Sequence, residues 1–200
     1  MKAEPSAVDK GAGAGRPRDP RIDAAILQAA AELVVEVGYS NLSLAAVAER
    51  AGTTKTALYR RWPSKAELVH EAAFAVPPNA VTAPPGDAAG DLRAMMAGAR
   101  DAFTSPVVRA ALPGLIADMA RNAELTARIM ERFEGLFEVM RHWVADSVSR
   151  GEARAGVDPD RLVELIGGAT LLGMMLRPDE DLADDWVQRI ADIIAHGVVA

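Results

Sequence analysis

Leu44-Ala-Ala-Val-Ala-Glu-Arg-Ala-Gly-Thr-Thr-Lys-Thr-Ala-Leu-Tyr-Arg-Arg-Trp-Pro-Ser-Lys65 is the stretch whose reading decides the fold. Ser43 stands ahead of Leu44, Val47, Ala48 and Ala51, which share one side of a short helix. Gly52 breaks that helix, and Thr53 or Thr54 caps a second one running through Arg61, which Pro63 stops. Ser64-Lys65-Ala66-Glu67 then has the form of a capping box, in which serine and glutamate satisfy each other's free amides at a helix start. Two short helices joined by a tight glycine turn make a helix-turn-helix, whose second helix lies in a major groove while the first crosses the backbone.

The residue types on the second helix suit that task. Thr53, Thr54, Lys55 and Thr56 carry small or flexible polar side chains that let a helix start approach base edges and hydrogen-bond to them. Tyr59, Arg60 and Lys65 reach toward phosphates, which position a protein without reading sequence. Tyr59 has a second reading, as a half-buried brace for the short helix. Arg50 to Lys65 contains five basic residues and no acidic one, although the whole chain has a net charge of −6. Local field outweighs net charge in phosphate contact, so a basic patch on an acidic protein is compatible with DNA. Taken alone, such a run also reads as a solvated helix face.

Outward from this centre, the chain reads as all-α. Its 200 residues are 50% hydrophobic but only 4% aromatic, a balance suited to packed helices. Asp19-Pro20 opens a helix whose apolar face runs from Ile22 to Val37 and which Gly38 ends. After the capping box a helix continues toward Pro77-Pro78, and Val76 to Gly90 reads as a linker rich in Pro, Gly and Ala. Further helices are predicted from about Asp91 to Thr104 and from Ser105-Pro106 onward, with Pro113-Gly114 as a candidate kink. The next two run from Asn122 to near Gly151 and from Asp158-Pro159 to Arg177-Pro178, and the last from about Leu182 to Val198. That gives about nine helices in four segments. These are an N-terminal arm (1–18), a three-helix DNA-binding unit (19–75), a linker (76–90) and a helical ligand-binding and dimerisation unit (91–200).

The arm has no periodicity and reads as disordered; Arg16 and Arg18 are either a plain tail or a minor-groove arm. No apolar run fits a signal peptide or a membrane span, and cysteine is absent, which fits a cytoplasmic protein. His70, His142 and His196 have no metal-ligand spacing to one another, and neither a metal nor a cofactor is expected.

The quoted stretch, from Gly52 through Trp62-Pro63-Ser64-Lys65 and preceded by Leu44 to Ala51, resembles the signature of tetracycline-repressor (TetR) family regulators. The match covers Arg21 to about Glu71 and includes the Val37-Gly38-Tyr39 corner. A weaker resemblance continues through Arg150-Gly151-Glu152, Val157-Asp158-Pro159 and Leu176-Arg177-Pro178, which are similar to one branch of TetR-like C-terminal domains. The resemblance implies base or phosphate contacts from Thr53, Thr54, Lys55, Thr56, Tyr59 and Arg60, with Ser43 and Lys65 at phosphates near helix starts. It implies a homodimer on a pseudo-palindromic double-stranded operator, usually repressing, and released by a small-molecule effector. Thr53 departs from the valine frequent there, which changes packing or adds a contact.

In the C-terminal half Phe103, Met119, Phe137, Met140, Trp143 and Met175 are candidate effector-pocket residues, each with plain core packing as its alternative. Gly167, Gly168 and Gly173 disfavour their helix by roughly 1 kcal/mol each relative to alanine, which close helix approach would offset. The resemblance places a dimer interface on the last two helices; tight packing within one subunit is the other reading. Ile190, Ile193 and Ile194 with Trp186 favour dimerisation. A transcriptional activator or a ligand-independent regulator would share these features. A small helical enzyme is the contrasting class, but no nucleophile elbow or phosphate-cradling glycine loop supports it, so no enzymatic activity is expected.

Overall fold

The computed structural model describes residues 19–74 and 87–198. They form nine α-helices and one 3-10 turn, with no strand among the described residues. The helices are α1 (Pro20–Asn41), α2 (Leu44–Arg50), α3 (Lys55–Tyr59), α4 (Lys65–Ala73), α5 (Ala88–Thr104), α6 (Pro106–Arg121), α7 (Ala123–Ser149), α8 (Pro159–Leu176) and α9 (Asp184–Val198). The 3-10 turn, Asp179–Leu182, lies between α8 and α9. The N-terminal arm and most of the predicted linker, including Pro77 and Pro78, lie outside the described residues.

Local capping chemistry sets most helix starts. Asp19, Ser43, Thr54, Ser105, Asn122 and Asp158 each accept a backbone N–H from the first turn of the helix they precede. α5 begins at Ala88, three residues before the predicted start, because Asp87 accepts the Ala89 amide and draws a segment that reads as loop into the helix. α6 continues through Pro113 as one helix, and extended Ala183 separates the 3-10 turn from α9 where a single helix from Leu182 was expected.

Two apolar cores result. The first joins α1 to α4 with parts of α6 and α7, through Ile26, Val34, Val47, Leu58, Trp62, Leu68, Ala111, Leu115, Leu125 and Ile129. The second joins α5, the C-terminal half of α7, α8 and α9 through Leu92, Met96, Met140, Leu162, Leu182 and Trp186. α6 and α7 therefore carry the first four helices on one side, and α7 runs on into the second core.

The glycine question on α8 divides. A Cβ at Gly173 would sit 2.9 Å from Trp186 Cζ2 and 3.2 Å from Leu182 Cδ2, so its missing side chain serves packing within one chain. Gly167 and Gly168 face open space. The expected apolar face of α9 is mostly turned inward: Trp186 is buried, Ile190 and Ile194 are half-buried, and Ile193 is exposed.

Candidate nucleic-acid interface

α3 is only five residues long, too short to hold its shape alone, since a helix nucleus costs more than a few hydrogen bonds return. Three features hold it. Thr54 Oγ1 accepts the Ala57 amide at 3.1 Å. Leu58 is completely buried against the first core. The Leu58 carbonyl accepts from Arg61 and Trp62 at 2.9 and 3.0 Å, closing the C-terminal turn. The turn before the helix is held by Thr53 N–H donating to Ala48 O at 2.9 Å, with Gly52 at φ 64° in the left-handed region that glycine enters without a Cβ penalty.

This scaffold leaves one polar surface outward. Thr54, Lys55, Thr56, Tyr59 and Arg60 are exposed, Thr53 partly so, and Tyr59 is 52% accessible. Ser43 is exposed at the start of α2, its Oγ accepting the Ala46 amide at 3.1 Å and its hydroxyl proton still able to donate. The five-residue basic run is less available than its sequence implies. Arg50 forms a two-armed pair with Glu36 at 2.6 and 2.8 Å, a contact that also holds the Glu36 carboxyl below its usual range. Arg61 pairs with Asp23 and donates to Ala57 O, which ties α3 to α1. Lys65 donates to the carbonyls of Tyr39 and Ser40 at 2.9 and 3.4 Å and stands 4.4 Å over the Tyr39 ring. Among the described residues no ion pair or hydrogen bond engages the side chains of Lys55 or Arg60. These two cations are free to meet phosphate.

The helices behind this surface are fastened to α6 and α7 by contacts that no local motif announces. Tyr39 is buried, and its hydroxyl donates to Asp118 of α6 at 2.5 Å. Burial, together with that carboxylate, pushes the phenol well above its ordinary pKa, so it stays a donor. Only half of the expected capping box forms: Ser64 Oγ accepts the Glu67 amide, while the Glu67 carboxylate accepts from the Ser64 hydroxyl instead of its backbone amide and is shared with α7. There Arg128 Nε donates to it at 3.0 Å, with Arg132 at 3.8 Å. Glu71, one turn on, accepts from Arg132 and from Trp62 Nε1, the latter at 2.8 Å. Glu67/Glu71 and Arg128/Arg132 are both i,i+4 pairs, and their complementarity was the signal that sequence reading overlooked.

His70 lies on the same face of α4, 6% exposed. Burial, helped by the Arg132 charge and opposed by Glu71, pulls its pKa from 6.5 to about 4. A histidine with a depressed folded-state pKa contributes stability fully above the unfolded value of 6.5 and loses it as pH falls toward 4. The unfolding free energy of the native chain should therefore drop by about 2 kcal/mol more between pH 7 and pH 5 than that of a His70→Phe variant, as denaturant titration at each pH will show. Equal drops would disprove the burial of a neutral imidazole.

The six predicted effector residues do not line one cavity. Phe103 stacks edge-on to Phe74 at 5.9 Å, and Met119 packs on the first core. Met140 and Trp143 belong to the second core, where Trp143 Nε1 donates to Asp91 at 2.8 Å. Phe137 lies under Arg141, and Met175 is 66% exposed on α8. A cleft of about 470 Å³ between α8 and α9, walled by Leu172, Gly173, Leu176 and Trp186 with Arg177 and Asp181 among its lining, includes none of the six. No group of three or more His, Asp or Glu side chains among the described residues is placed to hold a metal.

A capped five-residue helix, anchored by buried Leu58, showing hydroxyls and two free cations and mounted on a long-helix bundle, defines a helix-turn-helix DNA-binding protein with a C-terminal helical domain. Comparison with known proteins supplies the family. Residues 26–72 match the family described as "Bacterial regulatory proteins, tetR family", and residues 83–194 match "Tetracyclin repressor-like, C-terminal domain". The chain is 30% identical over 186 residues to an uncharacterized HTH-type transcriptional regulator of Mycobacterium tuberculosis, covering 90% of each. It is 31% identical over 187 residues to a DNA-binding transcriptional repressor TetR of Mycobacteroides abscessus, covering 84% of this chain and 89% of the relative. A TetR family transcription regulator of known structure superposes with a TM-score of 0.71 at 26% identity, over 89% of this chain and 98% of that one. The chain belongs to the TetR family of transcriptional regulators, and it is a DNA-binding regulator. Among the described residues no helix is long and apolar enough to cross a membrane.

Proposed function

We propose that this chain is a ligand-responsive repressor that works in the cytoplasm and binds a pseudo-palindromic operator as a homodimer. The observation that carries the reading is the free, exposed surface of α3, with Thr53, Thr54 and Thr56 at base edges and Lys55, Tyr59 and Arg60 at phosphates. Ser43 adds a phosphate contact at the start of α2. Lys65 is a further phosphate contact in this reading, although part of its donor capacity is already directed to α1 carbonyls. Dimerisation is supported by Leu165, Leu172, Met175 and Leu176 on α8 and Ile193 on α9, all exposed, and by the open space at Gly167 and Gly168. An exposed apolar strip of this kind marks an association surface. The repressor named among the relatives supports the sign of regulation.

Selection of bound sites from a random duplex library tests the reading. The expected product is a two-fold symmetric sequence whose half-sites lie about one or a small number of helical turns apart, each turn being roughly 34–36 Å. Lys55→Ala and Arg60→Ala should each weaken binding to every sequence alike and reduce the magnitude of the log–log salt slope by about two, one phosphate per protomer. A slope unchanged in both variants, or a library with no enriched site, would sink the proposed surface.

A further inference from the structure

The α4–α7 seam contains a feature that neither packing nor DNA contact uses. His70 is more than nine-tenths buried, yet both Nδ1 and Nε2 lack any hydrogen-bond partner. A neutral imidazole has one N–H to donate and one lone pair to accept with, and leaving buried polar atoms unpaired costs free energy. Around it stand Phe133 at 5.0 Å, edge-on, and Phe74 at 5.2 Å, with Phe103 a further 5.9 Å beyond Phe74. Two of the chain's four phenylalanines thus flank one unpaired polar group, and a third backs Phe74. Flat apolar walls with a single polar anchor are the usual composition of a small-molecule site. The charged groups nearby, Arg132 of α7 and Glu71 of α4, are engaged with each other, so the box offers no free charge to a ligand.

The geometry points to His70 as the polar anchor of the effector site, which takes a flat, uncharged aromatic molecule bearing one hydroxyl or carbonyl group. The inference rests on the ligand-responsive reading above and gives it a place and a chemistry. A ring inserted beside His70 separates α4 from Phe133 of α7. That separation pulls on the Glu71–Arg132 pair, whose members adjoin His70 and Phe133 in the chain, and on the Glu67–Arg128 pair about one turn away. Glu71 also holds Trp62, the residue that closes the α3 turn, so the strain reaches the reading helix through a single hydrogen bond. A ligand that prefers the parted arrangement shifts the population away from the DNA-bound one.

The test uses the full chain, 2-naphthol as the hydroxyl-bearing probe and naphthalene as its apolar counterpart, with binding followed by tryptophan fluorescence and by calorimetry. The native chain should bind 2-naphthol at least tenfold more tightly than naphthalene, and His70→Phe should erase that preference while keeping its affinity for naphthalene. His70→Gln, which restores a donor and an acceptor, should recover part of it. 2-Naphthol should weaken operator binding by the native chain, and the His70→Phe complex should need at least tenfold more of it for the same effect. No preference for the hydroxyl, or a preference that survives His70→Phe, overturns the proposal. Operator binding without probe is measured in parallel. If it is absent, the regulatory reading fails; if it is present but insensitive to the probe, the His70 site alone fails.

Discussion

A Gly114→Val chain is expected to unfold about 6–12 °C below the native one, reflecting a loss of about 3 kcal/mol from forced overpacking. A Cβ built at Gly114 of α6 would lie 2.6 Å from Tyr39 Cγ and 2.8 Å from Cε1, distances at which a neighbour has to move. Tyr39 has little room to do so. Its hydroxyl is held by Asp118 at 2.5 Å, Lys65 covers the ring from one side, and the side chain is buried. Gly98, in the middle of α5, supplies the control, because its Cβ would meet nothing within 4 Å. Gly98→Ala should stabilise the chain by about 0.5–1 kcal/mol through helix propensity alone. Thermal unfolding of the two variants side by side separates the contact from the propensity effect, and a Gly114→Val chain as stable as the native one would refute the close packing.

The second large effect falls on Leu58. Leu58→Ala empties a fully buried position and should cost about 2–5 kcal/mol of stability. Operator affinity should fall further than global unfolding explains. α3 has five residues, and Leu58 is its only fully buried side chain, so the reading surface loses its order before the rest of the chain unfolds. Operator titrations at a temperature where circular dichroism still reports a folded variant will measure this excess. Val35→Ala, on the exposed side of α1, should stay within about 0.5 kcal/mol of the native chain.

What was legible in the sequence was what local chemistry decides. Asp19, Ser43, Ser105, Asn122 and Asp158 act as caps over a single turn, so each predicted its helix without help from the rest of the fold. The α3 surface could be read for the same reason, since hydroxyls and cations after a glycine turn are a local pattern. Pairings across the fold could not. Nothing near Arg50, Arg61 or Lys65 in the chain announces Glu36, Asp23 or the Tyr39 carbonyl, which lie 14, 38 and 26 residues away, and so five apparent cations became two free ones. Tyr39, Gly114 and Asp118 were invisible as a group because each is unremarkable until α6 is laid on α1. The effector candidates were chosen by side-chain type alone. Type does not say which of two cores a methionine enters, nor that both ring nitrogens of His70 end up buried without a partner.

The first apolar core bears on how such regulators can be recombined. Ala111, Leu115, Leu125 and Ile129 of α6 and α7 share that core with Ile26, Leu58 and Leu68. The cut that a reader of the sequence would make, in the proline-rich stretch after α4, therefore does not follow the energetic seam. A chimera joined there inherits half a core from each parent, and the two halves must fit side chain to side chain at Tyr39 and position 114. Shuffling of reading heads among relatives is limited by that fit more than by the linker, and a productive graft carries the matching faces of α6 and α7 along with the head.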